Sequence, residues 1–235
     1  MTRASLVDVV VDRLIDRVAS GEFPPGTALP AEDELAAQSG ASRLTVREAV
    51  KVLAAQQVLR PVQGRGTYVN PVDRWIALDA IMRLRGDTFR TSMVQLIEVR
   101  SMIEVGAAEL FAPRCSSETL DLMATDLEQM RVGHDRTDVA RFVDADIAFH
   151  RRILEGCGNP FVPATFAPIQ RALHHARFQT SSISEIRRNA IAEHEKILKA
   201  LGTGSSQAVG AAMRSHLDQT TRDALQYLEP EPATA

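Results

Sequence analysis

The chain is poor in cysteine, has no long apolar run and carries no overall excess of positive charge. Cys115 and Cys157 are the two cysteines among 235 residues. They form no paired spacing, which excludes a zinc ribbon or a disulfide scaffold and leaves two reduced thiols in a cytoplasmic protein. No stretch approaches the ~20 apolar residues of a membrane-spanning helix, so no membrane partner is expected. Asp8, Asp12 and Asp16 interrupt the apolar residues near the N-terminus, which therefore does not read as a secretory signal. The net charge of −3 argues against nucleic-acid binding when taken alone.

What is present points the other way. Hydrophobic residues make up 45% and charged residues 24%, the balance of ordinary globular domains with enough apolar material for a core in each half. Within residues 1–70, eight Lys/Arg meet eight Asp/Glu, yet between residues 43 and 65 five Lys/Arg face the single Glu48. Positive charge is thus local, as a small basic reading head on a neutral or acidic body would have it.

Periodicity divides the chain. Leu6, Val7, Val10, Val11, Leu14, Ile15 and Val18 recur at helical spacing, with Gly21 as the stop. A short helix over about Glu32 to Gln38 starts on acids that suit the positive end of the helix dipole, and Gly40 ends it. Ser42 is a good N-cap for a third helix running to Ala55, with Val46, Ala49, Val50 and Leu53 as its buried stripe. Arg43, Arg47 and Lys51, four residues apart, share its exposed face. Two strands, Val58 to Val62 and Thr67 to Asn70, flank Gln63-Gly64-Arg65-Gly66, a hairpin tip. Helix, helix, turn, helix and hairpin make a winged helix-turn-helix over residues 1–71. Residues 72–92 read as a linker, helical around Trp75 to Leu84 with a break near Gly86. Residues 93–228 read as an all-helical domain, with helices at 93–112, 117–132, 137–155, 161–179, 183–202 and 205–228. Residues 229–235 read as a flexible tail. The fold class is mostly α, with one small β-hairpin wing.

Leu29-Pro30-Ala31-Glu32, Glu34-Leu35-Ala36, Ser42-Arg43, Thr45-Val46-Arg47-Glu48-Ala49, Leu53 and Gly64-Arg65-Gly66-Thr67-Tyr68-Val69 keep a fixed order and spacing. They resemble the DNA-binding domain of GntR-family transcription regulators. The resemblance implies that Arg43, Thr45 and Arg47 contact bases or nearby phosphates and that Gln63 and Gly64 approach the minor groove. Physical chemistry agrees. Such a helix enters the major groove by its N-terminal end. Arginine is the best fork for guanine and phosphate, the hydroxyls of Ser42 and Thr45 suit phosphates, and Arg65 between Gly64 and Gly66 lets the backbone come close. Position 33 departs from the pattern: some FadR-like members carry a basic DNA contact there, and Asp33 cannot bind a phosphate favourably. An operator sequence does not transfer from that branch.

Glu98-Val99-Arg100 with Glu104, Asp146-Ile147-Ala148-Phe149-His150, Glu193-His194 and His216-Leu217 resemble the FCD ligand-binding domain of FadR-like regulators. The resemblance implies a metal site of Asp146, His150, His194 and His216. Asp146 and His150 share a helix face, and a bundle can bring His194 and His216 to them. One carboxylate and three imidazoles suit zinc or nickel, or else manganese or iron, with coordination positions left for an incoming acid. Arg100 either holds the ligand's carboxylate in a bidentate fork or forms a structural ion pair with Glu104.

The function expected is that of a homodimeric, ligand-responsive regulator, a repressor by resemblance. Its heads read a pseudo-palindromic double-stranded DNA operator, and its sensor takes a small carboxylate effector. The alternatives are a metal-dependent enzyme with a fused DNA-binding head and a DNA-binding protein with a purely structural metal.

Overall fold

A computed structural model describes residues 5–78, 80–81 and 89–228. It divides into two compact units, residues 1–86 and 87–235.

The first unit contains α1 (Leu6–Ala19), α2 (Glu32–Ser39), α3 (Arg43–Ala55), β1 (Leu59–Val62) and β2 (Gly66–Val69). Each helix starts or stops where its sequence supplies a cap. Ser5 Oγ accepts from the Asp8 amide while Asp8 accepts from the Ser5 amide, a reciprocal box that satisfies two orphan donors of α1. Gly40 closes α2 at φ 66°, a left-handed conformation that costs glycine nothing. Val10, Leu14, Ile15 and Val18 of α1 share one core with Val46, Ala49, Val50 and Leu53 of α3. β1 and β2 pair antiparallel in the register Leu59↔Val69 and Val62↔Gly66.

This core extends past residue 71, where the sequence reading ended the head. Trp75, Ala77 and Ala80 are buried in it, and Trp75 Nε1 donates to the Asn70 carbonyl at 2.9 Å. Asn70 in turn donates its side-chain amide to the Gln57 carbonyl at 2.9 Å, fastening the base of the wing. Of the helix expected around Trp75 to Leu84, residues 75–77 are not helical and residues 78, 80 and 81 are, while residues 79 and 82–84, the break at Gly86 and the tail lie outside the described residues.

Among its described residues the regular elements of the second unit are all helices, joined by short turns: α4 (Phe89–Phe111), α5 (Ser117–Asp135), α6 (Val139–Gly156), α7 (Phe161–Thr180), α8 (Ser184–Leu201) and α9 (Ser206–Tyr227). α4 packs on α6, α7 and α9; α5 packs on α6 and α8; α8 packs on α9. Two boundaries differ from expectation. α4 is already helical at Phe89, inside the segment read as linker. α5 runs through Gly133, where a break was expected, because that glycine serves close packing instead: a Cβ there would stand 2.8 Å from the Phe142 backbone nitrogen of α6. The chain turns at Thr137, at φ 55°, and Asp138 caps α6 by accepting from the Arg141 amide.

Candidate nucleic-acid interface and metal centre

At the start of α3, Ser42 Oγ accepts from the Thr45 amide at 3.0 Å, and the two hydroxyls lie 2.8 Å apart. These residues hold the helix end as well as offering oxygens to a phosphate. Arg43 and Arg47 project from the same end with side chains 58% and 46% exposed. Both are drawn to the first turn of α2. Glu32 Oε2 accepts from Arg47 Nε at 3.0 Å and lies 3.6 Å from Arg43 Nε, and Asp33 ion-pairs with Arg43 at 3.2 Å. Lys51 pairs with Glu48 at 2.9 Å. Asp33, which offers nothing to a phosphate, thus has a partner within the head. In the wing, Gly64 and Gly66 take φ 72° and 99°, and the Arg65 amide closes the turn onto the Val62 carbonyl at 3.0 Å. Gln63 lies at that exposed tip.

The sequence reading passed over Leu44. It stands 66% exposed beside Arg43 at the start of α3, an apolar side chain of the kind that a thymine methyl can pack against. Its absence from the stripe of Val46, Ala49, Val50 and Leu53 was the available signal.

In the second unit, α6, α8 and α9 bring His150, His194 and His216 together, all buried. Their candidate ligand atoms lie within 4.8 Å of one another, and the ring centroids are 4.6–5.1 Å apart. Asp146 joins from α6: its Oδ1 is 3.1 Å from His194 Nε2 and 3.7 Å from His150 Nε2.

The outer contacts assign the ring nitrogens. His194 Nδ1 sits 2.7 Å from the Ala190 carbonyl, which can only accept, so Nδ1 carries the proton. His194 Nε2 faces Asp146 Oδ1 at 3.1 Å, yet it is buried without an aligned hydrogen-bond partner. A cation held by both would engage that orphaned nitrogen. His150 Nδ1 lies 2.6 Å from Glu104 Oε2, a close though misaligned contact that favours the proton on Nδ1 and leaves Nε2 inward. Both nitrogens of His216 are buried without a hydrogen-bond partner. Carboxylate or carbonyl behind the ring and a bare nitrogen in front is the usual setting of a metal-binding histidine. These residues fit a divalent ion. Asp146 Oδ1 and His194 Nε2 are already spaced to share an ion at bonds of about 2.1 Å, and the wider imidazole spacings would close in around it.

The electrostatics suit the same role. Burial depresses His150, and it holds His216 well below the ordinary histidine range with help from the neighbouring histidines, which favours the neutral form that a metal ligand needs. Burial pushes Asp146 upwards, but Arg177, His194 and His150 outweigh it and hold the carboxyl well below the usual carboxylate range. Glu104 is likewise held low, burial being outweighed by Arg100 and His150.

Arg100 forms the ion pair that the sequence left open: its Nε donates to Glu104 Oε1 at 2.7 Å, both groups buried. Through Glu104 it stands directly behind His150. Sequence reasoning missed Arg177 of α7, which ion-pairs with Asp146 Oδ2 at 3.0 Å. The signal was its place on the buried stripe of Ala172, Leu173 and Ala176, where an arginine needs an acid.

Residues 6–69 match the model of the bacterial regulatory proteins of the gntR family, and residues 95–219 match the FCD domain. The HTH-type transcriptional regulator YieP of Escherichia coli (strain K12) is 30% identical over 214 residues, covering 88% of this chain and 92% of that protein. The galactonate operon transcriptional repressor of the same organism is 26% identical, covering 92% and 95%. These relatives are transcription regulators, not enzymes. The solved structure of Lar, which controls expression of the Listeria monocytogenes agr system, shares the fold at a TM-score of 0.72 and 20% identity, covering 97% of this chain and 100% of that one. The chain belongs to the GntR family of transcription regulators, with an N-terminal GntR helix-turn-helix and a C-terminal FCD domain.

Proposed function

We propose that this regulator is a homodimeric repressor whose FCD domain binds a small organic acid at a divalent metal held by Asp146, His150, His194 and His216. The observation that carries the reading is the buried cluster of three imidazoles, their candidate ligand atoms within 4.8 Å of one another and without hydrogen-bond partners, with Asp146 Oδ1 3.1 Å from His194 Nε2. Zinc or nickel suits this donor set, and manganese or iron is the next choice. Four protein ligands on a six-coordinate ion leave room for a carboxylate. The naming of the galactonate operon relative as a repressor supports repression here.

On DNA, Arg43, Arg47 and Leu44 address base edges, with Ser42, Thr45 and Lys51 at phosphates and Gln63, Gly64, Arg65 and Gly66 at the wing. One head offers too little surface for tight specific binding, and two-fold symmetry doubles it on a pseudo-palindrome. Arg100 and Glu104 give the effector a handle on α4. That helix follows the connector directly, and Arg100 lies about 16 Å along it from Phe89 at 1.5 Å per residue. An acid that engages the ion or Arg100 biases the position of α4 and so of the chain leading to the head. Full inversion of a 1:99 population needs a preference of about 5.5 kcal/mol.

Metal analysis of the purified protein tests the site: one divalent ion per protomer is expected, lost on replacing His194 with alanine. A wild type that takes up no divalent ion contradicts it.

A further inference from the structure

Arg43, Arg47 and Lys51, the cations on the exposed face of α3, are each matched by an acid of the head. Arg43 Nη1 lies 3.2 Å from Asp33 Oδ1. Arg47 engages Glu32 Oε2 through Nε and Nη2, each at 3.0 Å. Lys51 pairs with Glu48 at 2.9 Å. Three cations against three acids leave this face without net charge, and two of the acids come from the first turn of a different helix, α2. Attraction to DNA of any sequence depends on cations free to neutralise phosphates and release their counterions. This face gives up much of that attraction.

Stability does not account for the pairing of Arg43 with Asp33. Their side chains are 58% and 69% exposed, and an ion pair so open to water adds little to a fold. Nor does the dipole of α2 need this acid in particular. Glu32 and Glu34 stand in the same turn, and Glu34 accepts from Gln38 within α2 at 3.2 Å. What sets Asp33 apart is its contact with Arg43. As water leaves a protein–DNA interface, charges act on one another more strongly. The Asp33 carboxylate then repels nearby phosphates and offsets the pull of Arg43 on them. It does not offset hydrogen bonds from that guanidinium to a guanine edge, which depend on direction. A partner is discriminated by what is made unfavourable to its rivals as well as by what it gains.

We infer that Asp33 is a specificity-determining residue of the head: by holding Arg43 at Nη1 it weakens binding to duplex of arbitrary sequence and spares the sites where that arginine meets its base. It acts through Arg43, as a positioning residue. The inference rests on the placing of Arg43 at DNA in the reading above.

The test compares full-length wild type with Asp33→Asn, Asp33→Glu and Glu34→Gln. Each is titrated by anisotropy onto a duplex selected from a random pool and onto a random-sequence duplex of equal length, over about 50 to 200 mM salt. The quantity read is the ratio of the two affinities. Asp33→Asn should lower the ratio at least threefold, chiefly by tightening on the random duplex, whose salt dependence should steepen by about one phosphate contact per head. Asp33→Glu keeps the charge within reach of Arg43 and should keep the ratio. Glu34→Gln removes the same charge from the same turn without touching an α3 arginine and should keep it too. A smaller fall in Asp33→Asn whose thermal melt matches wild type, or an equal fall in Asp33→Glu or Glu34→Gln, overturns the inference. Full-strength binding of the selected duplex by Arg43→Ala instead sinks the placing of Arg43, and the inference with it.

Discussion

His194 is the residue on which the sensor site turns. Its Nδ1 proton is committed to the Ala190 carbonyl, and its inward Nε2, buried without an aligned partner, is the atom left to serve a metal. The i, i+4 pair Asp146/His150 was legible in sequence because helical spacing fixes which side chains share a face. The meeting of α6, α8 and α9 was legible only through the family pattern, because spacing along one helix says nothing about its neighbours. The pair of Arg100 with Glu104, four apart on one helix, was one of the two roles read for Arg100, whereas Arg177 and the contact of Glu104 with His150 were not read, since both depend on how helices pack. Glu104 is a positioning residue for His150. Glu104→Gln should weaken metal affinity about 10–100-fold, measured by competition with a chromogenic chelator; unchanged affinity would mean that the carboxylate does not orient the ring. In the head, Arg43→Ala with Arg47→Ala should cost roughly 1–3 kcal/mol per lost base or phosphate contact. Anisotropy with a duplex selected from a random pool reads this, and a thermal melt should show the fold intact, because both side chains are exposed and paired only at the surface. Full-strength binding by the double variant would remove α3 from the DNA interface.

Among the elements, helix existence followed from apolar periodicity and caps, and the misread boundaries have physical causes. Gly133 looked like a stop because glycine weakens a helix. Tertiary packing overrides that propensity, since only a hydrogen at this position lets the Phe142 backbone of α6 approach. Gly133→Val should therefore destabilise the FCD unit by about 1–3 kcal/mol through overpacking, seen as a lower denaturant midpoint, whereas a true helix stop would tolerate it. The head ended early in the sequence reading because Pro71 resembles punctuation. A tryptophan four residues later buries its ring in the core and its indole N–H on Asn70, contacts that no local pattern announces. α4 likewise starts before its first expected apolar position, which places helical backbone immediately after the connector.

At the scale of the whole molecule, the buried histidines tie stability to pH and metal. His150 and His216 have depressed pKa values in the folded protein, while the unfolded chain titrates near 6.5. Below that pH the unfolded state binds more protons, so the metal-free protein should lose stability as pH falls through about 6.5 and change little above it. Glu104 and Asp146, held low when folded, add a further loss as pH approaches the ordinary carboxylate range near 4. Thermal melts in chelator from pH 8 to 5 check the direction, and a midpoint that rises on acidification would contradict the burial of neutral imidazoles. The central claim is that occupancy of the metal chamber governs DNA binding by the heads. It is tested most directly by titrating a responsive acid into metal-loaded protein bound to its selected duplex, with wild type and His194→Ala side by side. The account predicts that wild type releases the duplex while the variant binds it equally well and ignores the acid. Release by the variant at the same acid concentration as wild type would contradict it.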